Sequence, residues 1–267
     1  MKTRLLSASV GIPVLIAALW AGNQAIGAIV VAAAAIAGWE LGGMAAARSE
    51  RHRGRALMVL WPVTLAAAGW AASAGAAWWL VPAVAGGGLA VAAAARLAGA
   101  PVHYGYLLAA GPCVGLLLAH GPLLRGLESG GEWLALALFG TFAIDSAAML
   151  TGMAVGRRPL APRISPQKTW EGTLGGALAG VVAVAALDAV LGLGLGPPAA
   201  AALGAAMAAG ATLGDLGESA LKRHAGVKDS GVLVPGHGGV LDRLDSILPN
   251  IAIVYWVAYF VSTWSAD

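Results

Sequence analysis

Residues 172–193 read GTLGGALAGVVAVAALDAVLGL, 22 residues with a single charge, Asp188. At 1.5 Å per residue, a helix of that length crosses the roughly 30 Å hydrocarbon core of a bilayer. Apolar residues do not alternate with period two, which argues against a membrane β-barrel. Working outward, eight further stretches have the same character: 5–21, 25–47, 57–74, 76–95, 104–121, 132–152, 198–220 and 247–264. The chain of 267 residues is 59% hydrophobic and 11% charged, with mean hydropathy +0.78. Soluble chains carry about 25% charged residues, so a water-soluble monomer is excluded. Disorder needs the opposite composition. The sequence therefore predicts an all-α, polytopic integral membrane protein with about nine transmembrane helices. The formal charge is +3 and no basic helix stands clear of apolar sequence, which argues against a nucleic-acid partner. One cysteine, Cys113, excludes an intramolecular disulfide framework, a Cys-based zinc site and an iron–sulfur cluster.

Stretch 5–21 follows Lys2 and Arg4 and resembles a signal peptide, but eight later spans and the lack of a cleavage site favour a retained helix. With nine spans and a cytoplasmic N-terminus, every one of the sixteen basic residues except Arg125 falls on the inside. That asymmetry is the positive-inside pattern. Trp20, Trp39, Trp61, Trp78, Trp79, Trp133, Trp170 and Trp264 fall near span ends, as an aromatic belt requires. Abundant Gly and Ala suit close helix packing in lipid. Glu40 in the second span reads as a helix contact of unassigned role, and Asp188, near the outer end of the seventh span, as structural or snorkelled.

Chemistry is concentrated late in the chain. Residues 1–140 form an N-terminal region of about five spans with few motifs, and residues 141–267 carry two unusual inside loops, 153–171 and 221–246. Three of the four lysines, Lys168, Lys222 and Lys228, lie in these loops. Asp215, Glu218, Ser219 and Lys222 share one face if the eighth span continues as a helix. Asp242 and Asp245 open the ninth span. Between them, Pro235-Gly236-His237-Gly238-Gly239 is a turn whose backbone N–H groups can approach a phosphate. Lys222, Arg223, Lys228 and Arg243 add positive charge. Carboxylates, a glycine turn and cations are the parts of phosphoryl or nucleotidyl transfer. Asp145 in the sixth span is expected to face the bundle interior. Arg157, Arg158, Arg163 and Lys168 follow it, and Pro159, Pro162 and Pro166 stop helix formation there.

Ser219-Ala-Leu-Lys222-Arg223, Lys228-Asp229, Pro235-Gly-His237-Gly-Gly239 and Leu241-Asp242-Arg243-Leu-Asp245 together resemble the signature of phosphatidate cytidylyltransferases. Ser165-Pro-Gln-Lys168-Thr169-Trp170-Glu171-Gly172 resembles that family's second block. Asp145-Ser146 with Gly152 and Gly156-Arg157 resembles its aspartate-led stretch, and Trp39-Glu40 is a further small likeness. The resemblance implies a membrane enzyme, often dimeric, that joins CTP to phosphatidic acid, giving CDP-diacylglycerol and pyrophosphate. It implies Mg²⁺, with a monovalent cation such as K⁺ sharing a two-metal site. Asp215 and Asp242 would be the metal carboxylates. Ser219, Lys222, Lys228 and Asp245 would line the same site. Arg223, Arg243, Gly238, Gly239, Ser165, Lys168 and Asp145 are the further substrate-binding candidates. His237 reads either as a general base or as a turn residue donating to phosphate. The expected location is a bacterial inner membrane, multi-pass, with the active site facing the cytoplasm. Two other readings compete. A secondary transporter predicts paired broken helices related by internal symmetry, and the sequence contains none. A lipid kinase, or a nucleotidyltransferase acting on another lipid, uses similar aspartates.

Overall fold

The computed structural model describes residues 17, 19, 21–48, 55–75, 80–99, 102–231 and 238–264. The stretch 5–21 lies almost wholly outside the described residues. The other eight apolar stretches all overlap helices. In chain order these are α1 (Asn23–Arg48), α2 (Arg55–Ser73), α3 (Leu80–Leu97), α4 (Val102–Arg125), α5 (Gly130–Val155), α6 (Trp170–Leu191), α7 (Pro197–Ala225) and α9 (Ile247–Trp264). A one-turn helix, α8 (Leu241–Leu244), precedes α9, and β1 (Pro159–Ala161) and β2 (Ser165–Thr169) lie between α5 and α6. Four helices, α1, α5, α6 and α7, are each long and apolar enough to cross a membrane. The described residues are mostly helical, and the apolar helices make the chain a membrane protein.

The chain forms two compact units, residues 1–126 with 221–244, and residues 127–220 with 245–267. In the first, α1, α2 and α4 pack on one another and α3 packs on α4. Small residues set the spacing. A Cβ on Gly115 would meet Pro62 Cα at 2.6 Å, and one on Gly69 would meet Ala119 O at 2.6 Å. Pro62 is buried within α2. Lipid tails give helices no hydrophobic reason to associate, so close backbone approach has to supply the attraction.

In the second unit, α5 packs on α6 and α9. Leu136, Ala137, Val184, Met207 and Val254 are fully buried there. Asn250 Nδ2 donates to Thr141 Oγ1 at 2.8 Å, and Thr141 Oγ1 donates to Ala137 O at 2.6 Å. Gly180 and Gly204 bring α6 and α7 together, since a Cβ on Gly180 would lie 2.7 Å from Gly204 O. Leu174, Leu178 and Val182, four residues apart on α6, are each more than 60% exposed. Such a stripe belongs against lipid rather than water. Trp39 and Trp170 are exposed, whereas Trp133 is buried in the core of its unit, away from any belt. Trp20, Trp78 and Trp79 lie outside the described residues.

The loop expected at 153–171 contains an antiparallel hairpin, pairing Pro159 with Thr169 and Ala161 with Ser165. Pro159 and Pro166 are tolerated because a two-stranded ribbon consists only of edges. Thr169 ends the hairpin and caps α6, its Oγ1 accepting from Gly172 N at 3.1 Å.

Candidate functional site

Helix α7 runs five residues past the expected span end, through Lys222, Arg223 and His224 to Ala225. Cations are favoured at a helix C-terminus by the exposed carbonyls. Gly226, at φ +73, then stops it. Its N–H donates to Arg223 O at 3.2 Å, and that of Val227 to Lys222 O at 3.0 Å, the Schellman pairing.

In the first unit the signature residues gather on Asp242. Lys222 Nζ donates to Asp242 Oδ1 at 2.6 Å, with side-chain exposures of 15% and 5%. Asp242 Oδ2 accepts from Ser230 N at 3.0 Å, Ser230 Oγ at 2.9 Å and Gly239 N at 2.7 Å. Gly238 has φ +83, and a Cβ there would lie 2.5 Å from Asp242 Oδ2. Both the backbone conformation and the space therefore demand glycine. A second carboxylate meets the same turn. Glu40 of α1 is buried and accepts from Val240 N at 2.8 Å, Leu241 N at 2.9 Å and Ser230 Oγ at 3.1 Å. Arg223, Lys228 and Arg243 are exposed.

In the second unit, Lys168 of β2 pairs with Asp215 of α7, Nζ to Oδ2 at 2.7 Å. Ser219 Oγ, one turn along, donates to Asp215 Oδ1 at a long 3.4 Å. Glu171 fixes the hairpin's entry, its Oε2 accepting from Arg157 N at 3.0 Å and Arg158 N at 3.1 Å. Ser165 is half-buried in β2, and Asp245 Oδ1 accepts from Ser246 N at 2.7 Å in the turn before α9. Asp145 is exposed on α5, not enclosed by the bundle as expected. Asp188 is structural: its Oδ1 accepts from Leu195 N at 3.0 Å in the turn after α6.

Among the expected site residues, Lys222, Gly238, Gly239 and Asp242 come together in the first unit, and Lys168, Asp215 and Ser219 in the second. His237 lies outside the described residues. Glu40, Ser230 and Glu171 carry more of the arrangement than sequence reasoning assigned them. Glu40 was visible as the lone acid of 25–47. Ser230 and Glu171 had no comparable signal.

Among the described residues, no three His, Cys, Asp or Glu side chains converge as a metal site. Mg²⁺ needs only one or two carboxylates when phosphates share it. Asp215 suits such a role, since among the described residues one of its oxygens meets only the long Ser219 contact. Asp242 has donors for about all four of its lone pairs. A cation reaching Asp242 would therefore replace one of its present donors, with the Lys222 ammonium the candidate to move.

A model of the cytidylyltransferase family matches residues 2–261. The phosphatidate cytidylyltransferase of Mycobacterium bovis is 38% identical over 144 residues, 54% of this chain and 46% of that protein. Its namesake in Mycobacterium tuberculosis H37Rv is 38% identical over 144 residues, 54% of this chain and 43% of the relative. That of Brucella suis is 44% identical over 137 residues, 50% of this chain and 49% of the relative. The matched part of the chain thus spans about half the length of these curated relatives.

Proposed function

The chain belongs to the cytidylyltransferase family, and from that premise we propose that it transfers CMP from CTP to phosphatidic acid. The observation that supports this most is the convergence of the signature on one carboxylate: the Gly239 N–H and the Lys222 ammonium both donate to Asp242. Backbone N–H groups beside a cation that can turn to them are what a polyphosphate needs.

The lipid's phosphate oxygen attacks the α-phosphorus of CTP in line. The new O–P bond forms as the bond to the β-phosphate oxygen breaks, and pyrophosphate leaves with that electron pair. A phosphomonoester's second pKa is about 6, so the nucleophile is already ionised and no strong base is required. That favours His237 as a turn residue or phosphate donor over a general base. The barrier is repulsion between two anions. Lys168, Lys222, Lys228, Arg223 and Arg243 lower it by charge-assisted hydrogen bonds. Lys168 and Lys222 now hold Asp215 and Asp242 and can exchange those carboxylates for phosphate oxygens. Mg²⁺ is proposed as the cofactor, with Asp215 and Asp242 as its protein carboxylates, and it would neutralise and orient the triphosphate. Asp245, Ser219, Ser165 and Asp145 are proposed to border the substrates. A K⁺ ion and a homodimer are proposed on the family likeness alone.

The proposed setting is a bacterial inner membrane, with about nine spans, a cytoplasmic N-terminus and the site on the cytoplasmic side. The test is purified chain in detergent with CTP, Mg²⁺ and phosphatidic acid. One pyrophosphate released per CDP-lipid formed is expected. Release without phosphatidic acid, or equal use of a polyprenyl phosphate, would contradict it.

A further inference from the structure

Glu40 is an acid in a helix whose other 25 residues include a single charge, Arg48. It is 5% exposed. Burying a carboxylate costs free energy that an apolar side chain of similar volume would not. What the charge does is visible in its contacts. One oxygen accepts from Val240 N and the other from Leu241 N and Ser230 Oγ. The first N–H groups of a helix have no partner within it, and here α1 supplies one. Ser230 Oγ also donates to Asp242 Oδ2. A hydroxyl has one proton, so Ser230 serves one carboxylate at a time and links the two. Space agrees with this. A Cβ on Gly231 would lie 2.8 Å from Glu40 Oε1, and one on Gly239 would lie 2.6 Å from both Glu40 oxygens. Ser230 Oγ would lie closer still to a Cβ on Gly239, so Ser230 and Glu40 together leave room there only for glycine.

We infer that Glu40 is a positioning residue for the nucleotidyl transfer: through Ser230 and the Val240 and Leu241 N–H groups it sets the Gly238–Gly239 turn and the Asp242 carboxylate. The inference rests on the proposed activity for its catalytic consequence and on geometry for the rest. Its distinguishing demand is two acceptors. Glu40→Gln keeps the shape but offers one oxygen, and turns an NH2 group toward a backbone N–H.

The experiment compares the full-length chain with Glu40→Gln, Ser230→Ala and the double variant in detergent. It measures kcat and KM for CTP and phosphatidic acid, and hydrogen–deuterium exchange over 238–244. Loss of a hydrogen bond to a charged group predicts a kcat lower by about ten- to a hundredfold in Glu40→Gln, with KM for phosphatidic acid unchanged. Exchange at 238–244 should quicken while that of α5 stays as in wild type. The double variant should lose little more than the worse single variant. Wild-type kcat in Glu40→Gln, unchanged exchange, or a double loss equal to the product of the single losses would overturn the inference. If Glu40→Gln does not fold, Ser230→Ala decides alone: lowered kcat with faster exchange supports the link, and wild-type values overturn it. A wild-type chain that makes no CDP-lipid would defeat the proposed activity, and the exchange would still judge the positioning.

Discussion

Lys222, in the last turn of α7, and Lys228, just past its end, lie six positions apart, and their surroundings assign them different work. Lys222 is half-buried against the buried Asp242 at 2.6 Å, whereas Lys228 is exposed. Breaking a buried ion pair costs about 3–5 kcal/mol. Three other donors stay on Asp242, so Lys222→Ala should cost about 3 kcal/mol, near the low end of that range, as well as activity. Lys228→Ala should lower activity with no change in stability. Thermal unfolding in detergent alongside turnover separates the two, and equal unfolding temperatures for both variants would contradict the assignment. The sequence alone treats both lysines as phosphate contacts, because burial is decided by residues that are distant in the chain. Asp215 differs from Asp242 in the same way. Its partner Lys168 is 25% exposed and Asp215 itself 33%, so that pair is worth at most about 1 kcal/mol and exchanges easily.

At the scale of elements, the helices were legible and the hairpin was not. Apolar runs of 18 residues or more announce themselves, but β1 and β2 have only three and five residues and three of the loop's prolines lie in or between them. What fixes the hairpin is Glu171, which accepts from the N–H groups of Arg157 and Arg158. Glu171→Ala should leave the unfolding temperature nearly unchanged and speed trypsin cleavage within 157–168 several-fold. Cleavage at the wild-type rate would show that the hairpin holds itself. The crossing of α6 and α7 depends on Gly180 and Gly204, whose backbones approach too closely for a side chain. Overpacking costs about 1–3 kcal/mol, and Gly204→Val should lower stability by at least that much, read by thermal unfolding in detergent. Helix α7 outlasts its apolar stretch because Lys222, Arg223 and His224 end the hydropathy signal before Gly226 ends the helix.

For the whole molecule, charge asymmetry predicts sidedness. In a Cys113→Ala background, cysteines at 163 and 228 should react only from the cytoplasmic side and one at 195 only from the outside. Labelling of position 228 from the outside alone would reverse the topology. The membrane class and the signature could be read from composition and spacing. The carboxylate cage could not, because Glu40 stands 190 positions from Ser230 and 201 from Leu241. Contacts of that range leave no local pattern. The central claim, that CMP and not phosphate moves to the lipid, is tested most directly by label position. CTP labelled at the α- or the γ-phosphorus is incubated with phosphatidic acid and Mg²⁺, using wild type, Asp242→Asn and Asp188→Asn, and the lipid is extracted. The α-label should enter lipid with wild type and with Asp188→Asn, and fall by orders of magnitude with Asp242→Asn, while the γ-label should stay out of the lipid in all three, passing to pyrophosphate only as CTP is consumed. γ-Label in the lipid, or an Asp242→Asn variant as active as Asp188→Asn, would contradict the account.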